Sequence, residues 1–156
     1  LMLLDVKLPS ESLVILLGHM ARQGYKYIEL GLKNNKGLLR SFRGGLLTGA
    51  GDEDIHVYFA AHTLALKAKH GIITKRPFTS DSPYDFSGLR NYLEKIKWKY
   101  SRKTKMVLHI GTGVSYGSIA RLLGYLSVNS SGRTLFGNIW FKAEVVKSAK
   151  STNDTP

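Results

Sequence analysis

Residues 95–111 read KIKWKYSRKTKMVLHIG, and how they fold decides the class of the whole chain. Lys95, Lys97 and Lys99 alternate with Ile96, Trp98 and Tyr100, the period-two pattern of a strand with one face buried and the other in water. Residues 101–105 can turn, and the apolar run over 106–110 returns as a second, more buried strand. The stretch therefore predicts an antiparallel pair, with a row of lysines outside and Trp98 and Tyr100 turned inward.

Toward the N-terminus, residues 1–8 predict a strand ended by Pro9. Ser10 then offers an N-cap, Leu13, Leu16, Leu17 and Met20 share one helical face, and Gly24 is a natural stop. Ile28, Leu30 and Leu32 alternate as a strand does, the Asn34-Asn35-Lys36-Gly37 run suits a turn, and LLRSF at 38–42 fits either a strand or a short helix. Gly44, Gly45, Gly49 and Gly51 fall within eight residues and predict a mobile loop. Asp52, Glu53 and Asp54 suit a helix N-terminus, and the recurrence of Ile55, Tyr58, Phe59, His62, Ala65, Leu66 and Lys69 at three and four predicts a helix closed by Gly71. Residues 74–87, with Pro77 and Pro83, read as a long connection.

Beyond the opening stretch, Ile119, Leu122 and Leu123 predict a short helix, and the remainder gives two strands around Asn129-Ser130-Ser131-Gly132. The sum is an α+β fold: a single globular domain over 1–147, an antiparallel sheet with two or three packed helices, and a flexible tail over 148–156.

Composition narrows the function. The 156 residues carry 23 Lys and Arg against 11 Asp and Glu, a formal net charge of +12, which points to an anionic partner. Cysteine is absent, which removes disulfides, thiolate metal sites and thiol nucleophiles. The apolar run over 13–17 is too short to cross a bilayer, so no transmembrane segment is expected. His19, His56, His62, His70 and His109 lack zinc-site spacing, the acids at 52–54 serve a helix N-terminus more simply than a cation, and no serine sits in a nucleophile elbow. A non-enzymatic protein without metal or cofactor is expected.

The glycines of MVLHIGTGVSYGSIA, residues 106–120, are the strongest competing signal. Gly111, Gly113 and Gly117 miss the G-x-G-x-x-G spacing by one residue, and no acid follows until Glu144, too far for a ribose contact. The stretch resembles the first motif of class I methyltransferases, with His109 in the acid's place and Ser115 in the third glycine's place; S-adenosylmethionine binding would require a permuted domain. VSYGSIARLLG, residues 114–124, resembles the start of the DNA-binding helix region of alkylguanine alkyltransferases, whose reactive cysteine this chain lacks. A strand, a tight turn and a helix start account for the same residues with no ligand.

What remains is the basic segment. Lys95, Lys97, Lys99, Arg102, Lys103 and Lys105 lie within eleven residues that contain no acid, and form the candidate surface for nucleic acid or lipid headgroups.

Taken in order, the N-terminal strand, the helix after PSES (9–12), the glycine-rich loop and second helix, the Pro-bearing connection, the antiparallel pair, the short helix and the closing Trp-bearing strands resemble the core of rhabdovirus matrix proteins. The chain opens Leu1-Met2, which fits the loss of a disordered N-terminal arm in that family. The resemblance implies a viral structural protein of the virion, host cytoplasm and inner membrane face. It would bind nucleocapsid or RNA and anionic membrane through residues 95–105, and self-associate through a flexible element, here the loop bearing Gly44, Gly45, Gly49 and Gly51. The alternatives are a basic nucleic-acid-binding accessory protein, of movement or silencing-suppressor type, and the permuted methyltransferase.

Overall fold

Apolar residues at every second position build most of the sheet. In the computed structural model, which describes residues 1–34, 37–47, 55–68, 76–77, 84–97, 105–137 and 139–142, the elements run β1 (Met2–Asp5), α1 (Ser10–Arg22), β2 (Tyr27–Asn34), β3 (Gly37–Leu47), β4 (Ile55–Ala60), β5 (Thr63–Ala68), β6 (Arg76–Pro77), α2 (Phe86–Ile96), β7 (Met106–Ile110), α3 (Tyr116–Ser127) and β8 (Ile139–Lys142). The fold is α+β, with three helices among the described residues on one sheet of order β1-β2-β3-β8-β7-β4-β5-β6.

The sheet is mixed, where an antiparallel one was expected. β2 with β3, β4 with β5 and β5 with β6 are antiparallel, whereas β1 with β2, β3 with β8, β8 with β7 and β7 with β4 are parallel. The parallel centre is legible in β7, whose MVLHI is apolar at four of five positions, as strands covered on both faces tend to be.

One face of the sheet holds the core. Leu30, Phe42, Leu46, Phe141, Leu108, Val57 and Leu66 join Leu13 and Leu17 of α1, Leu89 and Leu93 of α2, and Ile119, Leu122 and Leu123 of α3 in one buried cluster. Phe86 anchors it by edge-on contact with Phe59 at 5.6 Å and by contact with Tyr125 at 5.7 Å. Val107 and Ala65 are buried as well, but they lie on the opposite face and outside this cluster.

Three expectations are corrected here. Residues 55–68 form a hairpin, not a helix: Ile55, Val57 and Phe59 are buried alternately, and Ala61 with a left-handed His62 (φ 60°) makes the two-residue turn. The 3.6-residue recurrence was real but coexisted with a period of two, and a place between β5 and β7 favours β-branched and aromatic side chains over helix. Lys95 and Ile96 close α2, and Lys97 caps it, instead of opening a strand. Their alternation is the end of a longer helical series, Phe86, Leu89, Leu93 and Ile96, started by Asp85, whose side chain accepts from Gly88 N–H at 2.8 Å. Gly44 and Gly45 belong to β3 and are buried, whereas Gly49 and Gly51 lie outside the described residues, as does the tail over 148–156.

Candidate nucleic-acid interface

Strand register places one continuous row across the sheet face opposite the helices. Tyr27 of β2 pairs with Gly45 of β3, Gly45 with Trp140 of β8, Trp140 with Val107 of β7, Val107 with His56 of β4, and His56 with Lys67 of β5. On one side of this row Arg43 pairs with Glu29, and Lys105 lies two residues before Val107 on the same face. On the other side Tyr58 pairs with His109 and His109 with Lys142. A sheet face that carries no helix of the described residues and interleaves aromatic rings with cations is the arrangement on which single-stranded nucleic acid stacks.

Two glycines make the row possible. A Cβ on Gly45 would fall 2.4 Å from the Trp140 ring, and one on Gly44 would fall 2.4 Å from the Phe141 ring on the core face. Trp140 therefore lies across β3 on one side while Phe141 fills the core on the other. Sequence reading took this Gly-Gly pair for mobility; its use is close approach of side chains from the neighbouring strand.

Around Trp140 a groove of about 300 Å³ opens between Tyr27, Arg43, Gly45, Lys105 and Gly137. Tyr27 is 65% exposed and stands 5.8 Å from Trp140 between ring centroids, tilted by 56°. The Lys105 ammonium sits over the indole at 4.4 Å from its centroid. Arg43, with its side chain 81% exposed, makes one 3.7 Å ion pair to Glu29 and turns the rest of its guanidinium to solvent. The Ser41 hydroxyl, and secondarily Arg43, hold the Glu29 carboxyl below the ordinary glutamate range against the opposing effect of desolvation.

The second aromatic group on this face is made by β4 and β7. Tyr58 stacks on His109 at 4.3 Å with the rings 17° apart, and His56 Nδ1 shares a 2.8 Å hydrogen bond with His109 Nε2. The sharing means that one imidazole donates and the other accepts. No group of three or more potential metal ligands converges among the described residues.

The predicted basic surface divides. Lys105 stands on the interface. Lys97 does not: its ammonium donates to the carbonyls of Thr134 and Leu135 and lies 5.6 Å from the Phe136 ring centroid, clamping the segment before β8 onto α2. Lys95 is exposed on α2, away from the aromatic row. Lys99, Arg102 and Lys103 lie outside the described residues, as do Trp98 and Tyr100. The residues missed by sequence reading are Tyr27, Arg43 and Trp140. Their signal was phase: in YIEL (27–30), SFR (41–43) and IWF (139–141) they alternate against buried Ile28, Leu30, Phe42, Ile139 and Phe141.

At the glycine turn six amides are already engaged. Gly111 N–H donates to Phe59 O, Gly113 N–H to the Glu11 carboxylate at 2.9 Å, Val114 N–H to Ser10 Oγ, Tyr116 N–H to Leu8 O, Gly117 N–H to Val6 O, and Ser118 N–H to Ser115 Oγ. A phosphate cradle needs such donors unclaimed. The glycines serve packing, since a Cβ on Gly111 or Gly113 would meet the Cβ of Ala60 or Ala61 at 2.6 Å. Ser10 also departs from expectation: Pro9 holds the N-cap position, and the Ser10 hydroxyl reaches across to this turn.

No helix among the described residues is long and apolar enough to cross a membrane. Comparison with protein-family models, with curated proteins and with solved structures finds no match to this chain.

Proposed function

We propose that this chain is a non-enzymatic protein that binds single-stranded nucleic acid, RNA in the first instance, on the sheet face opposite the helices. The observation that carries this is the registered row Tyr27, Gly45, Trp140, Val107, His56, Lys67, flanked by Arg43 and Lys105 on one side and by Tyr58 and His109 on the other. Arg43, Lys67 and Lys105 are exposed and can meet phosphates, whereas Lys142 is largely buried. The row runs across the strands, so successive side chains stand roughly 4.8 Å apart per strand, close enough for a single strand to follow. The +12 charge adds attraction that is blind to sequence.

Fluorescence anisotropy with labelled rU20 at a series of salt concentrations tests the reading. Binding to rU20 that weakens steeply with salt, and exceeds binding to a duplex of equal length, is expected. Equal capture of duplex and single strand would sink it, because the duplex hides its base faces.

A matrix-type role is a second reading, favoured by one observation. Leu1, Leu3, Tyr25 and Tyr27 are exposed large apolar side chains at the β1 and β2 end of the sheet, beside Arg43, a combination suited to an anionic membrane surface. Flotation with anionic vesicles that RNA fails to displace would favour this reading over the first.

A further inference from the structure

We propose that the groove at Trp140 is a single-nucleotide site, in which a base lies on the exposed ring of Tyr27 against the wall made by Trp140 while its phosphate is held between Arg43 and Lys105. The inference rests on the nucleic-acid reading above and gives it an address.

Four features of this groove select a nucleotide over other anions. Its wall is flat, because the Trp140 indole occupies the space a side chain on Gly45 would fill, so a planar ligand meets a planar ring. Its two rings are tilted by 56° and are not stacked on each other, which leaves the face of Tyr27, the more exposed of the two, for a third ring. Its two cations come from different strands, Arg43 from β3 and Lys105 from the entry to β7, on the same side of the aromatic row. At about 300 Å³ it lies at the small end of ligand pockets, the size for one nucleotide unit and not for a folded nucleic acid.

The existing partners of the cations show how a phosphate would be accommodated. Glu29 engages Arg43 from one side at 3.7 Å, and the exposed guanidinium keeps further donors that match the bidentate demand of a phosphate. Lys105 rests over the indole, a contact a flexible lysine can exchange for a phosphate oxygen as the base arrives. Among the other described cations, Lys97 is committed to main-chain carbonyls and the Arg121 guanidinium lies 5.8 Å from the Phe86 ring centroid.

The test uses labelled rU4 and rU20 with the whole chain and its Tyr27→Ala, Tyr27→Phe and Lys105→Gln variants; Tyr27 and Lys105 are exposed, so the fold does not depend on them. Tyr27→Ala is expected to weaken rU4 by about tenfold or more, Tyr27→Phe to bind as the wild type because stacking needs the ring and not the hydroxyl, and Lys105→Gln to weaken it severalfold. Uridine monophosphate should compete and inorganic phosphate should not. If the wild type binds rU20 but Tyr27→Ala and Lys105→Gln hold rU4 as tightly as it does, nucleotides bind elsewhere on the sheet and this inference falls while the functional reading stands. Competition by inorganic phosphate equal to that of uridine monophosphate would also overturn it, since the groove would then be a plain anion site. Failure of the wild type to bind even rU20 removes both.

Discussion

Trp140 lies so close over Gly45 that a Cβ added to the glycine would stand 2.4 Å from the indole ring. Gly45→Ala must then displace the ring, and overpacking of this kind costs about 1–3 kcal/mol. The same change should shift the tryptophan emission maximum and lower rU4 affinity, because the displaced ring enters the groove. Denaturant unfolding, emission spectra and anisotropy on one variant check all three effects. Gly44→Ala should destabilise more, because its Cβ would meet the Ile139 carbonyl oxygen at 2.8 Å as well as the Phe141 ring, and main chain yields less readily than a side chain.

Lys97 and Lys105 were equivalent in the sequence, and the structure gives them opposite work. Lys105→Gln should weaken RNA binding, lower the slope of log affinity against log salt by about 0.7 and leave stability within ~0.5 kcal/mol. Lys97→Met keeps the stem but leaves the Thr134 and Leu135 carbonyls without their donor, so it should cost about 1–3 kcal/mol in stability with the salt slope unchanged. Salt titrations and urea melts of the two variants are the measurements. Reversal of the pattern would place the anion-binding surface on α2.

The contrast marks where sequence reading succeeds and where it stops. α1, β1 and β2 were legible because each has one dominant period, and Gly24 with its φ of 87° ends α1; α3 was legible only in its first turns, since residues 125–127, which read as the start of a strand, close it. The hairpin at 55–68 was not, since Ile55, Val57, Phe59, Leu64 and Leu66 are dense enough to satisfy both periods, and only the parallel neighbour β7, about fifty residues away, selects one. α2 was obscured at its own end, because the six-residue alternation of Lys and apolar side chains that looked like a strand begins at Lys95, inside the helix. The candidate site is assembled from β2, β3, β7 and β8, so no local motif could display it. Its members were visible singly as out-of-phase aromatics, and register alone puts Tyr27, Gly45 and Trp140 in one line.

Glu29 restrains Arg43 and opposes any incoming phosphate. Glu29→Gln keeps the shape and removes the charge, so single-stranded RNA should bind severalfold more tightly at low salt and converge on the wild type as salt rises. Weaker binding instead would mean that the ion pair is needed to aim the guanidinium, which the isothermal enthalpy of rU4 binding would register as a loss.

Glu11 ties the start of α1 to the glycine turn by accepting from Gly113 N–H. Hydrogen bonds from its own main-chain N–H and from Gly113 hold its carboxyl below the usual glutamate range. A depressed folded-state value means that the contribution is present above the ordinary value of about 4.3 and is lost as pH falls through the lower one. Thermal melts of the wild type and Glu11→Gln should therefore differ at neutral pH, with the wild type more stable, and converge as pH falls through that range. A difference independent of pH would show that packing, not the carboxylate, carries the effect.

Tyr116, at the start of α3, is fully buried, and its hydroxyl has no hydrogen-bond partner among the described residues. An unmatched buried hydroxyl costs about 1–3 kcal/mol relative to water, while the ring itself fills the core. Tyr116→Phe should therefore raise stability, by about 1 kcal/mol, where most large core substitutions lower it. Burial pushes the phenol up to about 12. The folded state thus resists ionisation, so the associated stability is intact below the ordinary value of about 10 and declines as pH rises toward 12. Tyr116→Phe removes this alkaline component, and the advantage of the variant should widen between those values in pH-dependent urea unfolding. A variant less stable than the wild type at neutral pH would mean that the hydroxyl has a partner in solution, and would direct attention to a buried water at the α3 N-terminus.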